Sequence, residues 1–116
     1  MKKYLAVYTG TPTKREEWDR LDPTDRKARE KKGIEAWKRW AETNERAIKD
    51  GGAPLGKTKQ VNASGVSDIR NNLAAYTVVE AASHDEAARL FLNHPHFTIF
   101  PGDGVEIMEC LPMPGG

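Results

Sequence analysis

Apolar and polar positions alternate over residues 3–9 (KYLAVYT), which predicts a strand with Leu5 and Val7 on one face and Tyr4, Ala6 and Tyr8 on the other. Gly10 and Pro12 punctuate its end. The charged stretch 13–21 has room for one or two helical turns carrying Trp18. Asp22-Pro23-Thr24-Asp25 then reads as a helix start, with Asp22 as the cap, Pro23 at the first helical position and Asp25 in the first turn. The pattern lets this helix run to Asp50, where Gly51-Gly52 stops it and Pro54 forbids continuation. That length is about 40 Å at 1.5 Å per residue, long for a small domain, and Gly33 divides it. Before Gly33 the helix has no apolar face except Ala28. After it, Ile34, Trp37, Ala41 and Ile48 recur at helical spacing, widened by Trp40 and Ala47. The second half is therefore expected to pack on a sheet, and the first to be a solvated or partner-facing extension.

Residues 55–61 (LGKTKQV) read as an edge strand with Lys57 and Lys59 outward, and 62–72 as a turn-rich connection. Residues 73–81 (LAAYTVVEA) are β-branched and apolar enough for a central strand. Ser83 and Glu86 form a capping box that opens a second helix through Ala87, Leu90 and Phe91, and Pro95 closes it. Residues 105–111 (VEIMECL) alternate as a last strand, and 112–116 form a short tail. The resulting order, β-α-β-β-α-β, predicts an α+β, ferredoxin-like domain spanning 1–116, with a charged helical insert at about 13–32. Two helices cover only one face of a four-stranded sheet. The other face would show Leu73, Ala75, Val79, Val105 and Ile107, or their alternates, to water, so a second copy of the chain is the expected cover.

Composition narrows the partners. With 18 Lys plus Arg against 17 Asp plus Glu, no global field draws the chain to nucleic acid or to an anionic membrane. Five basic residues and one acid occupy 26–32 without interleaved aromatics or glycines, the pattern of a solvated helix face. The apolar run near Met1 is too short for a secretory signal or a membrane span, and the lone Cys110 fits a reducing compartment; the expected location is cytoplasmic. Cys110 itself is expected to be packed within the last strand.

The order of elements resembles a known family at specific places. The start KKYLAVY, the junction GGAPLGKT (51–58), and the run YTVVEAASHDEAARLFLNHPHF (76–97) leading into VEIMECLPMP are similar to YCII-related proteins, also called the DGPF group. The resemblance covers most of the chain outside the charged insert. It implies the dimeric α+β barrel, in which two ferredoxin-like sheets face each other, in a family whose members mostly lack an assigned role. The DGPF tetrapeptide is absent; the matching region is SGVSDIRNN (64–72), with Asp68 the nearest equivalent. Family members also carry a proposed His–Asp pair, the His on the first helix and the Asp before the proline of the second. Here the first helix holds EAWKRWAE (35–42) without histidine, and His94 precedes Pro95, so that pair's chemistry does not transfer.

His94-Pro-His96 is the cluster that draws attention. Imidazole titrates near neutrality, so His94 is the candidate catalytic acid or base; as a bland alternative it is a packed histidine on the stripe of Ala87, Leu90 and Phe91. No spacing supplies a third metal ligand, so no metal site and no cofactor are expected. Trp37 and Trp40, one helical turn apart, either build core or wall a pocket for a flat ligand. Asn44 shares their stripe where an apolar residue is expected, and is either a network member or a ligand contact. No phosphate-binding glycine motif or nucleophile elbow is present. The expectation is a pocket between the sheet and the first helix, lined by Tyr8, Trp37, Trp40, Asn44 and His94, that binds a small molecule. Two alternatives remain: a lyase-, isomerase- or oxygenase-like enzyme using His94, and a structural or protein-interaction module. They part on whether His94 lines a solvent-connected cavity beside a second titratable group or is enclosed.

Overall fold

The computed structural model describes residues 1–115. Strand β1 (Lys2–Thr9) is followed by helices α1 (Pro12–Asp19) and α2 (Pro23–Thr43), and by strands β2 (Ile48–Pro54), β3 (Thr58–Asn62), β4 (Gly65–Ile69) and β5 (Leu73–Ala81). Helices α3 (His84–Arg89) and α4 (Pro95–Thr98) then lead to β6 (Gly104–Glu109). Four strands form one antiparallel sheet in the order β2-β5-β1-β6, while β3 and β4 form a separate hairpin. With the hairpin set aside, this is the split α+β topology of a ferredoxin-like domain.

Local signals at two element starts act as the sequence implies. Asp22 accepts a hydrogen bond from the Thr24 amide at 3.2 Å, with Pro23 opening α2. Ser83 accepts from the Glu86 amide at 3.1 Å and starts α3. The alternation in β1 and β5 survives intact: Tyr4, Ala6 and Tyr8 are buried together with Thr77, Val79 and Ala81. Register matches the faces, pairing Tyr4 with Val79 and Ala6 with Thr77.

The long helix departs from expectation. It ends at Thr43, capped by Asn44, and Ile48 begins the second strand of the sheet rather than closing a helical stripe. Gly51 and Gly52, expected to stop the helix, lie inside β2 beside an irregularity in its pairing with β5. Gly52 has φ of 71°, and a Cβ there would stand 1.7 Å from the Tyr76 carbonyl oxygen, so the strands can meet only at glycine. Gly33 does not divide α2. It sits buried in mid-helix because a Cβ would lie 2.5 Å from the Phe100 ring, which packs against the helix there. The segment read as an edge strand and the connection after it form the β3–β4 hairpin instead. Pro95 does not close a helix but opens α4, with His94 as its cap. Cys110 is exposed rather than packed.

The helices cover the sheet face that carries Tyr4, Tyr8 and Val79, with Val105 and Ile107 of β6 packed against the same core. The uncovered face is therefore made by the alternates: Leu5 and Val7 of β1, Ala74, Tyr76 and Val78 of β5, and Met108 of β6. Leu73, at 48% exposed, lies at the sheet's end. No helix among the described residues is long and apolar enough to cross a membrane.

Candidate functional site

A row of aromatic rings runs from the core to the surface. Trp40 is anchored by its indole N–H, which donates to the Leu90 carbonyl at 2.7 Å, and its ring lies 5.1 Å from Phe91. The His94 ring stands between the two tryptophans, 4.5 Å from each and nearly perpendicular to Trp37. Trp37 in turn contacts Tyr8 at 5.0 Å and Phe100 at 6.1 Å. Positions 37 and 40 of α2 thus face the same row from adjacent turns.

His94 is completely enclosed. Its Nδ1 accepts a hydrogen bond from the His96 amide at 3.0 Å, so the neutral ring carries its proton on Nε2. That Nε2 has no hydrogen-bond partner among the described residues. The perpendicular indoles beside it offer the π contacts that such an N–H can use. Burial, with the His96 ring adding, pushes the His94 pKa down to about 3. His94 is therefore a neutral imidazole held by aromatic rings and out of contact with solvent.

A cleft of about 990 Å³ opens one step further out. Its walls come from the start of α1 (Thr11, Pro12, Arg15), the middle of α2 (Ile34, Trp37, Lys38) and the glycine-bearing edge strand (Gly51 to Pro54). The root of the hairpin with the first half of β5 (Arg70 to Asn72, Ala74 to Tyr76) and the loop 100–102 complete it, together with His96. The size is that of small-molecule sites, and the surroundings mix aromatic and aliphatic groups with a few polar ones.

His96, not His94, is the imidazole that borders this cleft. Its Nε2 lies 2.8 Å from the Thr9 carbonyl, an acceptor, so Nε2 carries the proton and donates it. Nδ1 is then a lone pair without a partner among the described residues, and it is not one of the sealed polar atoms. Burial holds the His96 pKa below the usual value. The Thr9 carbonyl and the Asp103 charge oppose that shift without reversing it. The ring is neutral at physiological pH and presents an acceptor.

Of the five residues expected to line the pocket, Trp37 does so. Tyr8 lies beneath it, its hydroxyl 3.0 Å from the Thr77 hydroxyl, and burial raises its pKa to about 12, so it stays protonated. Trp40 and His94 lie one layer deeper. Asn44 donates its amide to the Trp40 carbonyl at 2.9 Å, which caps α2 and satisfies the polar group that the helical stripe left unexplained. The cleft residues that sequence reasoning passed over are Arg15, Lys38, Arg70, Tyr76, His96 and Phe100. Only His96 carried a signal, as the partner of His94 across Pro95. No group of three His, Cys, Asp or Glu side chains converges as a metal site among the described residues.

No family model matches the chain, and no curated protein sequence matches it. Among solved structures, it is similar to 5-chloro-2-hydroxyhydroquinone dehydrochlorinase from Burkholderia phenoliruptrix AC1100, in complex with 2,5-dihydroxybenzoquinone. The TM-score is 0.52 at 16% identity, over 91% of this chain and 90% of that one. At that identity the likeness is one of fold, and it places this chain among α+β proteins of the same architecture as that enzyme.

Proposed function

We propose that this protein binds a small, flat organic molecule in the cleft between α2 and the β2–β5 edge of the sheet, with Trp37 and Phe100 against its face. The observation that carries this reading is the cleft itself: about 990 Å³, with Trp37, Phe100 and His96 in its walls. The fold neighbour, solved with a quinone-type compound, is in keeping with it. The carboxylate that acts on His96, Asp103, accepts from the Thr11 amide and is not in the cleft wall, and His94 is sealed away, so binding rather than acid–base catalysis is our reading. The test is amide-resolved NMR with 2-naphthamide and 2-naphthoate as probes. At least one probe should shift the Trp37 indole and the amides of Phe100 and Gly102, and Trp37→Ala should weaken binding about tenfold. Shifts confined to other surfaces, or none with either probe, would overturn the reading.

We also propose that the chain is one YCII-like domain, that it resides in the cytoplasm, where an exposed lone thiol stays reduced, and that it works as a homodimer. The open face supports the dimer: Leu5, Val7, Ala74, Tyr76, Val78 and Met108 form an apolar patch, bordered by Glu106 and by Lys3 and Glu80, that no helix covers. Light scattering at micromolar concentration should return about twice 12.9 kDa. A mass of one chain would end the barrel-dimer proposal.

A further inference from the structure

The cleft carries charge of one sign. Arg15, Lys38 and Arg70 border it, and no aspartate or glutamate does, although the chain as a whole holds 18 basic and 17 acidic residues. Four exposed cations of this chain are matched by ion pairs. Lys59 meets Asp68 at 2.7 Å across the hairpin, Arg89 meets Asp85 at 2.7 Å within α3, and Lys2 approaches Glu109 at 3.8 Å. Arg15 is matched too, with Asp19 at 3.5 Å in an exposed pair. Lys38 and Arg70, like most of the basic residues, are not among the four, but these two border the cleft. Neither has an ion-pair or side-chain hydrogen-bond partner among the described residues, and they reach the same cavity from elements 32 positions apart in sequence, α2 and the root of the hairpin.

Most of the other walls are apolar or already satisfied. Ile34, Pro12 and Pro54 offer only hydrocarbon, and Trp37 and Phe100 offer ring faces. The Asn71 side chain is taken up locally, donating to Thr58 and accepting from the Leu73 amide. Two unmatched cations beside an aromatic wall fit a flat body that carries a negative group, because a carboxylate or phenolate gains charge-assisted hydrogen bonds from both while its ring stays on carbon.

Resting on the reading of the cleft as a small-molecule site, we propose that its ligand is an aromatic or similarly flat organic anion whose charge is held between Lys38 and Arg70. The test compares 2-naphthoate with its neutral isostere 2-naphthamide by titration calorimetry at low ionic strength. The carboxylate should bind about tenfold more tightly, and that preference should shrink as salt is raised. Arg70→Gln and Lys38→Gln should each reduce the preference, and the double variant should abolish it while the naphthamide affinity holds. Arg46→Gln, outside the cleft, should change neither. Equal affinity of the parent for both compounds, or a preference untouched in the double variant, would overturn the anion proposal and leave the cleft reading standing. Failure of both compounds to bind would remove both readings.

Discussion

Val79→Asp should abolish the cooperative thermal transition, or lower its midpoint by at least about 10 °C. Val79 is fully buried at the centre of the sheet, opposite Tyr4 of β1 on one side and Ile48 of β2 on the other. An aspartate there finds no cation. The buried groups of the surrounding core are Tyr4, Ala6, Tyr8, Ala81, Ala87 and Phe91, none of which can balance a carboxylate. An unpaired buried charge costs several kcal/mol, and the lost packing adds to it, against a total stability of about 5–15 kcal/mol for a domain of this size. Circular dichroism melts would read the effect directly. Val78→Asp, one residue away on the open face, is the matched control: it should stay folded and shift the mass towards one chain. If Val79→Asp melts like the parent, the assignment of the covered face is wrong.

The second large effect is a loss of stability in mild acid. The His94 pKa is about 3 in the folded protein and about 6.5 in an unfolded chain. Between those values the unfolded state binds a proton that the native state refuses, so lowering the pH pulls the equilibrium towards unfolding. The contribution is fully present above about pH 6.5 and is lost progressively as the pH falls towards 3, by about 1.4 kcal/mol per pH unit within the window. His96, shifted down as well, acts in the same direction. Comparing melts at pH 7.5 and 5.5 avoids most carboxylate titration, and the midpoint should drop by several degrees. His94→Gln removes the titrating group, so its midpoint should change less over the same interval, whatever its stability at pH 7.5. A variant whose slope equals the parent's would show that His94 does not report the buried environment described for it.

The same two histidines show where local sequence stops being informative. His94-Pro-His96 reads as one cluster with His94 as the candidate, yet the His94 ring is enclosed by Trp37 and Trp40 while His96 borders the cleft. The choice is made by distant partners. Thr9, 87 positions away in sequence, supplies the carbonyl that holds the His96 ring, and Pro95 sets a helix start whose first free amide turns to His94. No periodicity along the chain encodes either contact. Polar segments failed for a different reason. β2 (IKDGGAP) has neither alternation nor β-branched residues beyond its first, and it is a strand because an edge next to β5 accepts glycines at close approach. Most of β3 falls within the strand read over 55–61, whereas β4 (GVSDI) is exposed at nearly every position, which erased the period that marks a half-buried strand.

By itself the sequence determined the elements whose signals are local: the alternation of β1 and β5, the starts of α2 at Asp22-Pro23 and of α3 at Ser83, and hence the α+β, ferredoxin-like order. Burial on one face imposes a period that can be read along the chain, and a cap is satisfied within three residues. Tertiary structure alone decided that Gly33 stays in mid-helix under Phe100 and that β2 replaces the end of the long helix. It also brought Lys38, Arg70 and His96 to one cleft. Those outcomes depend on which backbones approach which rings across tens of residues, and proximity in space leaves no pattern in the order of amino acids.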